Sequence, residues 1–215
     1  GSSENVGISR ALAALVRKAT SKHIIFLEED WQLLGGLNLD LELTSAVNML
    51  DKELVSLVKL RSSVSPGAPY CSSLWRNFEH LMIGSREDGE LSILNAASWQ
   101  PTDDQVKKYF GDGVWRCHSR FLCTTSNYCG WTNNPTMFTK VWFMQHMHRA
   151  AMLATHYESA INLSPPLWQE RCFQIAQGKG LFSHVDLDKS LEEQSPCEVP
   201  RLVQENYDKQ RKATS

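Results

Sequence analysis

The chain has little of what nucleic-acid binding or membrane insertion demands. Its 215 residues carry 22 lysines and arginines against 24 acids, with no long run of one sign. A protein that neutralises phosphates along a duplex needs a basic face, so this balance argues against a nucleic-acid partner. No apolar run approaches the ~20 residues of a membrane span. The opening GSSENVGISR is polar and has no signal-peptide pattern. No internal repeat or low-complexity tract interrupts the chain. Zinc-type cysteine spacing is missing too: in CHSRFLCTTSNYC, Cys117, Cys123 and Cys129 are separated by five residues each time, where a zinc site uses two to four. An even count of six cysteines permits disulfides, and buried free thiols explain it as well. A single sequon, Asn162-Leu163-Ser164, is followed by Pro165, which disfavours its use. The compartment, cytoplasm or Golgi lumen, stays open.

What is there is an ordinary globular composition, 42% hydrophobic and 21% charged, enough for one large domain or two small ones. Ile8, Leu12, Leu15 and Val16 recur at helical spacing, so residues 8–20 read as an amphipathic helix. HIIFLEE (residues 23–29) follows at once and reads as a buried parallel strand ending in acids. A helix over 44–53 capped by Thr44 or Ser45 comes next, then a strand within 54–62. The run 62–73 is a loop by its Pro, Gly and Ser content. Short strands are expected over 78–85 and 90–95, and a helix from after Pro101 to Gly111. Asn133-Asn134-Pro135 marks a turn leading into a strand or helix start. A long helix is expected over 141–161, another over 167–178, and a strand over 180–188. Residues 189–215 form a charged tail. Helices alternating with short strands give an α/β pattern.

The chemistry gathers where the apolar run Ile24–Leu27 meets Glu28, Glu29 and Asp30. Extended-chain alternation would put Glu28 and Asp30 on one face. Two such carboxylates raise one another's pKa, and a divalent cation removes the repulsion. Hard oxygen ligands of this kind suit Mg²⁺ or Mn²⁺ shared with substrate phosphates. The plain alternative is a strand that ends in solvated acids.

Asn5, Gly7, Arg10, Ala11 and the Glu28-Glu29-Asp30 triplet, in NVGISRALAALVRKATSKHIIFLEEDW, resemble the middle of a GT-A nucleotide-sugar glycosyltransferase of the family-2-like group. YESAINLSPPLWQERCFQIAQGKGLFSHVDLD resembles the end of that domain. The resemblance covers mainly residues 5–31 and 127–186. It implies a GT-A, Rossmann-like mixed sheet flanked by helices over residues 1–188. The sheet should be N-terminally incomplete, because the family's leading donor-base strands have no counterpart before Asn5.

By that resemblance the chain would be a metal-dependent, inverting glycosyltransferase taking a nucleotide-sugar donor and a glycan or other hydroxyl acceptor. Glu158 would be the catalytic base, with Glu170 as its rival. Asp30 and His184 would hold the Mn²⁺ or Mg²⁺. Glu28 would share or orient the ion, and Asp186 would join the metal set or orient the His184 ring. Arg10, Glu28 and Asp30 would face the donor diphosphate. Trp131, Asn133 and Asn134 would line the acceptor side, Trp131 as a flat platform for a sugar ring. Trp75 and Arg76 carry a weaker suggestion of the same kind. His146, His148 and His156 are too ill-spaced on a helix for one ion and read as structural. The rival readings are a nucleotidyltransferase or phosphohydrolase on an α/β sheet, and a catalytically silent carbohydrate- or nucleotide-binding remnant of the fold.

Overall fold

The computed structural model describes residues 6–35, 38–65, 67, 93–94, 96–98, 100–154 and 156–185. Helix α1 (Gly7–Lys18) buries Leu12, Ala13 and Val16, one face of the amphipathic pattern, and leads into β1 (His23–Phe26). After the acids comes a three-residue strand, β2 (Trp31–Leu33), then helix α2 (Leu39–Asp51) and strand β3 (Leu57–Arg61). Helix α3 (Asp103–Phe110) starts at a Thr102–Gln105 capping box and stops at Gly111, as the sequence predicts. A hairpin of β4 (Trp115–His118) and β5 (Phe121–Thr125) follows, then β6 (Thr136–Thr139). Three short helices, α4 (Lys140–His146), α5 (His148–Leu153) and α6 (Tyr157–Asn162), precede the eleven-residue β7 (Gln174–His184).

The protein is α/β, with a seven-stranded mixed sheet of order β1-β6-β3-β7-β5-β4 and β2 paired to the far end of β7. Only β3 and β7 pair in parallel among the described strands. One apolar core, with Leu12, Val16, Trp131, Phe138, Phe143, Tyr157 and Trp168, lies between the sheet and α1, α4, α5 and α6. A second, with Met49, Leu50, Val58, Leu60 and Phe121, lies under α2. A smaller one gathers Val106, Phe110 and Leu122 under α3. Among the described residues no helix is long and apolar enough to cross a membrane.

Several local expectations are corrected. β1 is not a buried parallel strand: it pairs antiparallel with β6 and is half-exposed, and it ends at Phe26, before the acids. Glu28 and Asp30 therefore sit in a turn, and strand alternation does not place them. Helix α2 begins earlier than expected, because the Asn38 side chain accepts from the Leu41 amide; Thr44 and Ser45 lie inside the helix. The helix expected over 141–161 breaks twice, at Met147 and across Ala154 to His156, without any Pro or Gly to announce it. The break lets α5 lie along α1 while α6 turns Tyr157 and Ile161 into the core beneath Trp131. Residues 167–178 are not a helix. Cys172 takes a left-handed conformation (φ 49°) after two 3₁₀ turns, and β7 starts at Gln174. Residues 93–94 are helical where a strand is expected, and 96–98 are helical too. The strand expected over 78–85, Asn5, Trp75, Arg76, Asp186 and the 189–215 tail lie outside the described residues.

One irregularity decides where the end of β7 goes. Lys59 of β3 is level with Gln177 and Arg61 with Phe182, so two steps along β3 match five along β7. The extra residues, Gly178 to Gly180, form a bulge. Gly180 adopts φ 71°, and a Cβ there would run into the Arg61 carbonyl. A Cβ on Gly178 would strike Glu42 and Phe121. Only glycine fits either position. The bulge is held by side chains from the core. Glu42 Oε1 accepts the Gly180 amide at 3.0 Å, and the Gln177 amide donates to the carbonyls of Arg61 and Gly178, both at 2.9 Å.

Candidate functional site

Past the bulge, β7 pairs with β2 so that His184 is level with Trp31. The Val185 amide donates to the Asp30 carbonyl at 2.8 Å, which extends the pairing into the acid turn. This backbone register brings the two side chains together: His184 Nε2 donates to Asp30 Oδ2 at 3.0 Å. With its proton on Nε2, a neutral imidazole presents Nδ1 as an acceptor. Trp31 stands edge-on to the His184 ring, centroids 5.0 Å apart, and the Arg61 guanidinium lies 5.0 Å from the Trp31 centroid.

The second half of the cluster comes from α6 and the 130–134 segment. Asn162 clamps the Trp131 backbone on both sides: its Oδ1 accepts the Trp131 amide and its Nδ2 donates to the Trp131 carbonyl, each at 2.8 Å. The sequon asparagine is thus spent on holding this segment. Four residues earlier on α6, Glu158 Oε2 accepts the Asn133 amide at 3.4 Å. The Asn133 side chain hydrogen-bonds Glu28. Asn133 therefore spans the two carboxylates, its backbone on Glu158 and its amide on Glu28. Beneath it, the buried Lys59 ammonium donates to Thr132 Oγ1 at 2.5 Å.

Glu28 feels its surroundings most. Burial first, then the negative charges of Asp30, Glu158 and Glu29, push its carboxyl up to about 7, against a smaller pull from Asn133. Four carboxylates, Glu28, Glu29, Asp30 and Glu158, and one imidazole thus share one small region.

Of the residues singled out in the sequence, the structure brings together Glu28, Asp30, Asn133, Glu158 and His184. Trp131 is corrected: it is wholly buried, edge-on to Tyr157 and Trp168, and its face is not open to a sugar. Asn133 and Asn134, both half-buried, are what that segment presents. Arg10 lies on the exposed side of α1, and no described contact links it to the acids. Glu170 is exposed on a 3₁₀ turn, apart from the cluster. His146 packs on Phe173 and Trp142, and burial lowers its pKa. Sequence reasoning misses Trp31, Arg61, Lys59 and Asn162. Two cations at alternate positions of an apolar strand, LVKLR, are the signal for the middle two, since alternation puts both on one face.

The residues present fit a divalent cation. Asp30 Oδ1 and His184 Nδ1 are both buried without a hydrogen-bond partner among the described residues. With Nε2 on Asp30 Oδ2, Nδ1 points away from that carboxylate, so the two atoms do not face one ion: Asp30 orients the ring and Nδ1 is the atom left to bind. A borderline cation such as Mn²⁺ accepts an imidazole nitrogen held in this way. Among the described residues no group of three or more ligands is assembled in advance. The remaining positions would fall to water and to a phosphorylated ligand, the usual arrangement for Mg²⁺.

Comparison with protein-family models, with curated proteins and with solved structures returns no match in any of the three.

Proposed function

We propose that the chain acts as a GT-A-type, metal-dependent glycosyltransferase that moves a sugar, with inversion, from a nucleotide-sugar donor to an acceptor hydroxyl. The observation that carries this reading is the convergence of Asp30, His184, Glu28 and Glu158, contributed by the acid turn, the end of β7 and α6. A mixed sheet with helices packed against it is compatible with it.

When bound, Mn²⁺ or Mg²⁺ would supply the positive charge that the departing nucleoside diphosphate needs. His184 Nδ1 would hold it, with Asp30 orienting the ring. Glu158 takes the proton of the acceptor hydroxyl on its carboxylate, which the Asn133 amide keeps in place. Glu28 relieves the crowding of negative charge, by holding a proton or by sharing the cation. Asn133 and Asn134 offer amide donors and acceptors to acceptor hydroxyls. Trp31 and Arg61 keep the His184 ring in its orientation. The Cys117–Cys123 disulfide favours an oxidising compartment, hence the Golgi lumen over the cytoplasm.

The test is a panel of nucleotide sugars incubated with Mn²⁺ and the protein, read by release of nucleoside diphosphate. One donor should turn over. Glu158→Gln should lose at least ~10²-fold in rate while Mn²⁺-dependent nucleoside diphosphate binding persists. Turnover that survives Glu158→Gln would remove Glu158 as the base, and no Mn²⁺-dependent nucleotide binding at all would remove the transferase reading.

A further inference from the structure

On the far side of the β7 bulge lies a second polar feature that shares no residue with the acid cluster. A cavity of about 200 Å³ is lined by Ala97, Gln100, Arg116, Ser119, Arg120, Leu122 and Lys179. Three of these are cations from three places: Arg116 on β4, Arg120 in the β4–β5 turn, and Lys179 in the bulge between its two glycines. We propose that this cavity is a binding site for a tetrahedral oxyanion, a phosphate or sulfate group.

The charges around it are unequally matched. Arg116 is fully engaged, its Nε donating to Asp103 Oδ1 at 2.6 Å and its Nη2 to the Pro101 carbonyl. Arg120 meets Glu42 only at 3.8 Å, beyond hydrogen-bonding distance. The Lys179 ammonium has no hydrogen bond or ion pair among the described residues; it feels Glu42 only through its field. Arg120 and Lys179 thus bring two positive charges to one concave spot, next to the Ser119 hydroxyl and the Gln100 amide, against the single buried carboxylate of Glu42, which Arg120 pairs with at 3.8 Å. Guanidinium and ammonium groups around a cavity are the donors a phosphate or sulfate accepts best.

The walls are fixed in advance. Cys117 and Cys123 are disulfide-bonded across the base of the hairpin that carries Ser119 and Arg120. Lys179 rides on the hydrogen-bonded bulge, its carbonyl accepting from the Ser63 amide at 2.8 Å. Gln100 holds a positive φ of 51° at the rim. A site whose donors are already in place loses little freedom on binding. The volume is below that of pockets that enclose a whole drug-sized ligand, and suits an anion with part of the group that bears it.

The experiment is calorimetry at low ionic strength, where charge is least screened. The probes are inorganic phosphate, inorganic sulfate and a hexose phosphate, with chloride as control. Saturable binding of phosphate or sulfate is expected. It should weaken at least about tenfold in Arg120→Gln and in Lys179→Gln, the loss of one charged hydrogen bond each. It should be unchanged in Asp30→Asn, which isolates this site from the acid cluster. Lys179 is exposed, so its variant stays folded if the arginine change disturbs the hairpin, and circular dichroism checks both. Tighter binding of the hexose phosphate assigns the site to a phosphate ester; equal or weaker binding assigns it to the free anion. No saturable oxyanion binding, binding indifferent to both substitutions, or binding lost in Asp30→Asn overturns the proposal.

Discussion

The two halves of β7 are one strand with two jobs. From Gln174 to Gln177 it lies between β3 and β5, with Ile175, Ala176 and Gln177 wholly buried. From Leu181 to His184 it is held mainly by β2, and its last three residues are half-exposed. Between them stands the glycine bulge, pinned by Glu42 and Gln177. Stability should therefore concentrate before the bulge and ligand chemistry after it. Past the bulge β7 still meets β3, with Phe182 beside Arg61, while β2 takes the place of β5.

The first way to test that division is Ile175→Ala. It removes a fully buried side chain from the main core and should cost about 3–4 kcal/mol in denaturant unfolding. The affinity of the folded fraction for Mn²⁺ should stay as in the wild type. Gly180→Ala comes next, at roughly 2–3 kcal/mol, from a positive φ and a clash with the Arg61 carbonyl. Unlike the first change it should also weaken Mn²⁺ binding, because the arm carrying His184 shifts. If it destabilises without touching Mn²⁺ affinity, the bulge is not what aims the arm.

Glu42→Ala should cost about 2 kcal/mol, since it strands the Gly180 amide and leaves a void. The pH dependence of the wild type sharpens this. Burial, the largest influence, raises the Glu42 pKa above its ordinary 4.5, against smaller pulls from Gly180, Arg120 and Lys179. The native state then binds its proton more tightly than the unfolded chain does. That contribution to stability is complete below pH 4.5 and is lost as pH rises through the native value. Glu42→Gln keeps an acceptor for Gly180 and cannot ionise. Its unfolding free energy should lack that decline and at pH 8 should match or exceed the wild type's. A parallel decline in the variant would show that another group sets the slope. The smallest expected stability effect is Asp30→Asn, within ~0.5 kcal/mol.

Much of the site is legible in the amino-acid sequence because it rests on residue chemistry. The acids after an apolar run, a glutamate opening a short helix and a histidine after Gly-Leu-Phe-Ser are visible as such, and they meet. The helix at Asp103–Phe110 is legible because its cap is local. What is not legible depends on contacts distant in sequence. Residues 167–178 carry helix-friendly letters, yet the Ser126 hydroxyl accepts the Phe173 amide at 2.8 Å and Cys172 turns left-handed, so the chain enters the sheet instead. Trp131 reads as an exposed platform because nothing in its own segment shows Asn162 fastening it against Tyr157 and Trp168. The acids read as one face of a strand, whereas the turn before β2 and the pairing of β2 with β7 place them.

The central claim is that His184, oriented by Asp30, holds a divalent cation, and electron paramagnetic resonance of Mn²⁺ tests it most directly. The protein is titrated with Mn²⁺ in the presence of a nucleoside diphosphate, and free Mn²⁺ is read from its sharp signal. The wild type should take up one Mn²⁺, with affinity at least ~10-fold lower in Asp30→Ala and in His184→Ala. Uptake by both variants equal to that of the wild type would contradict the account.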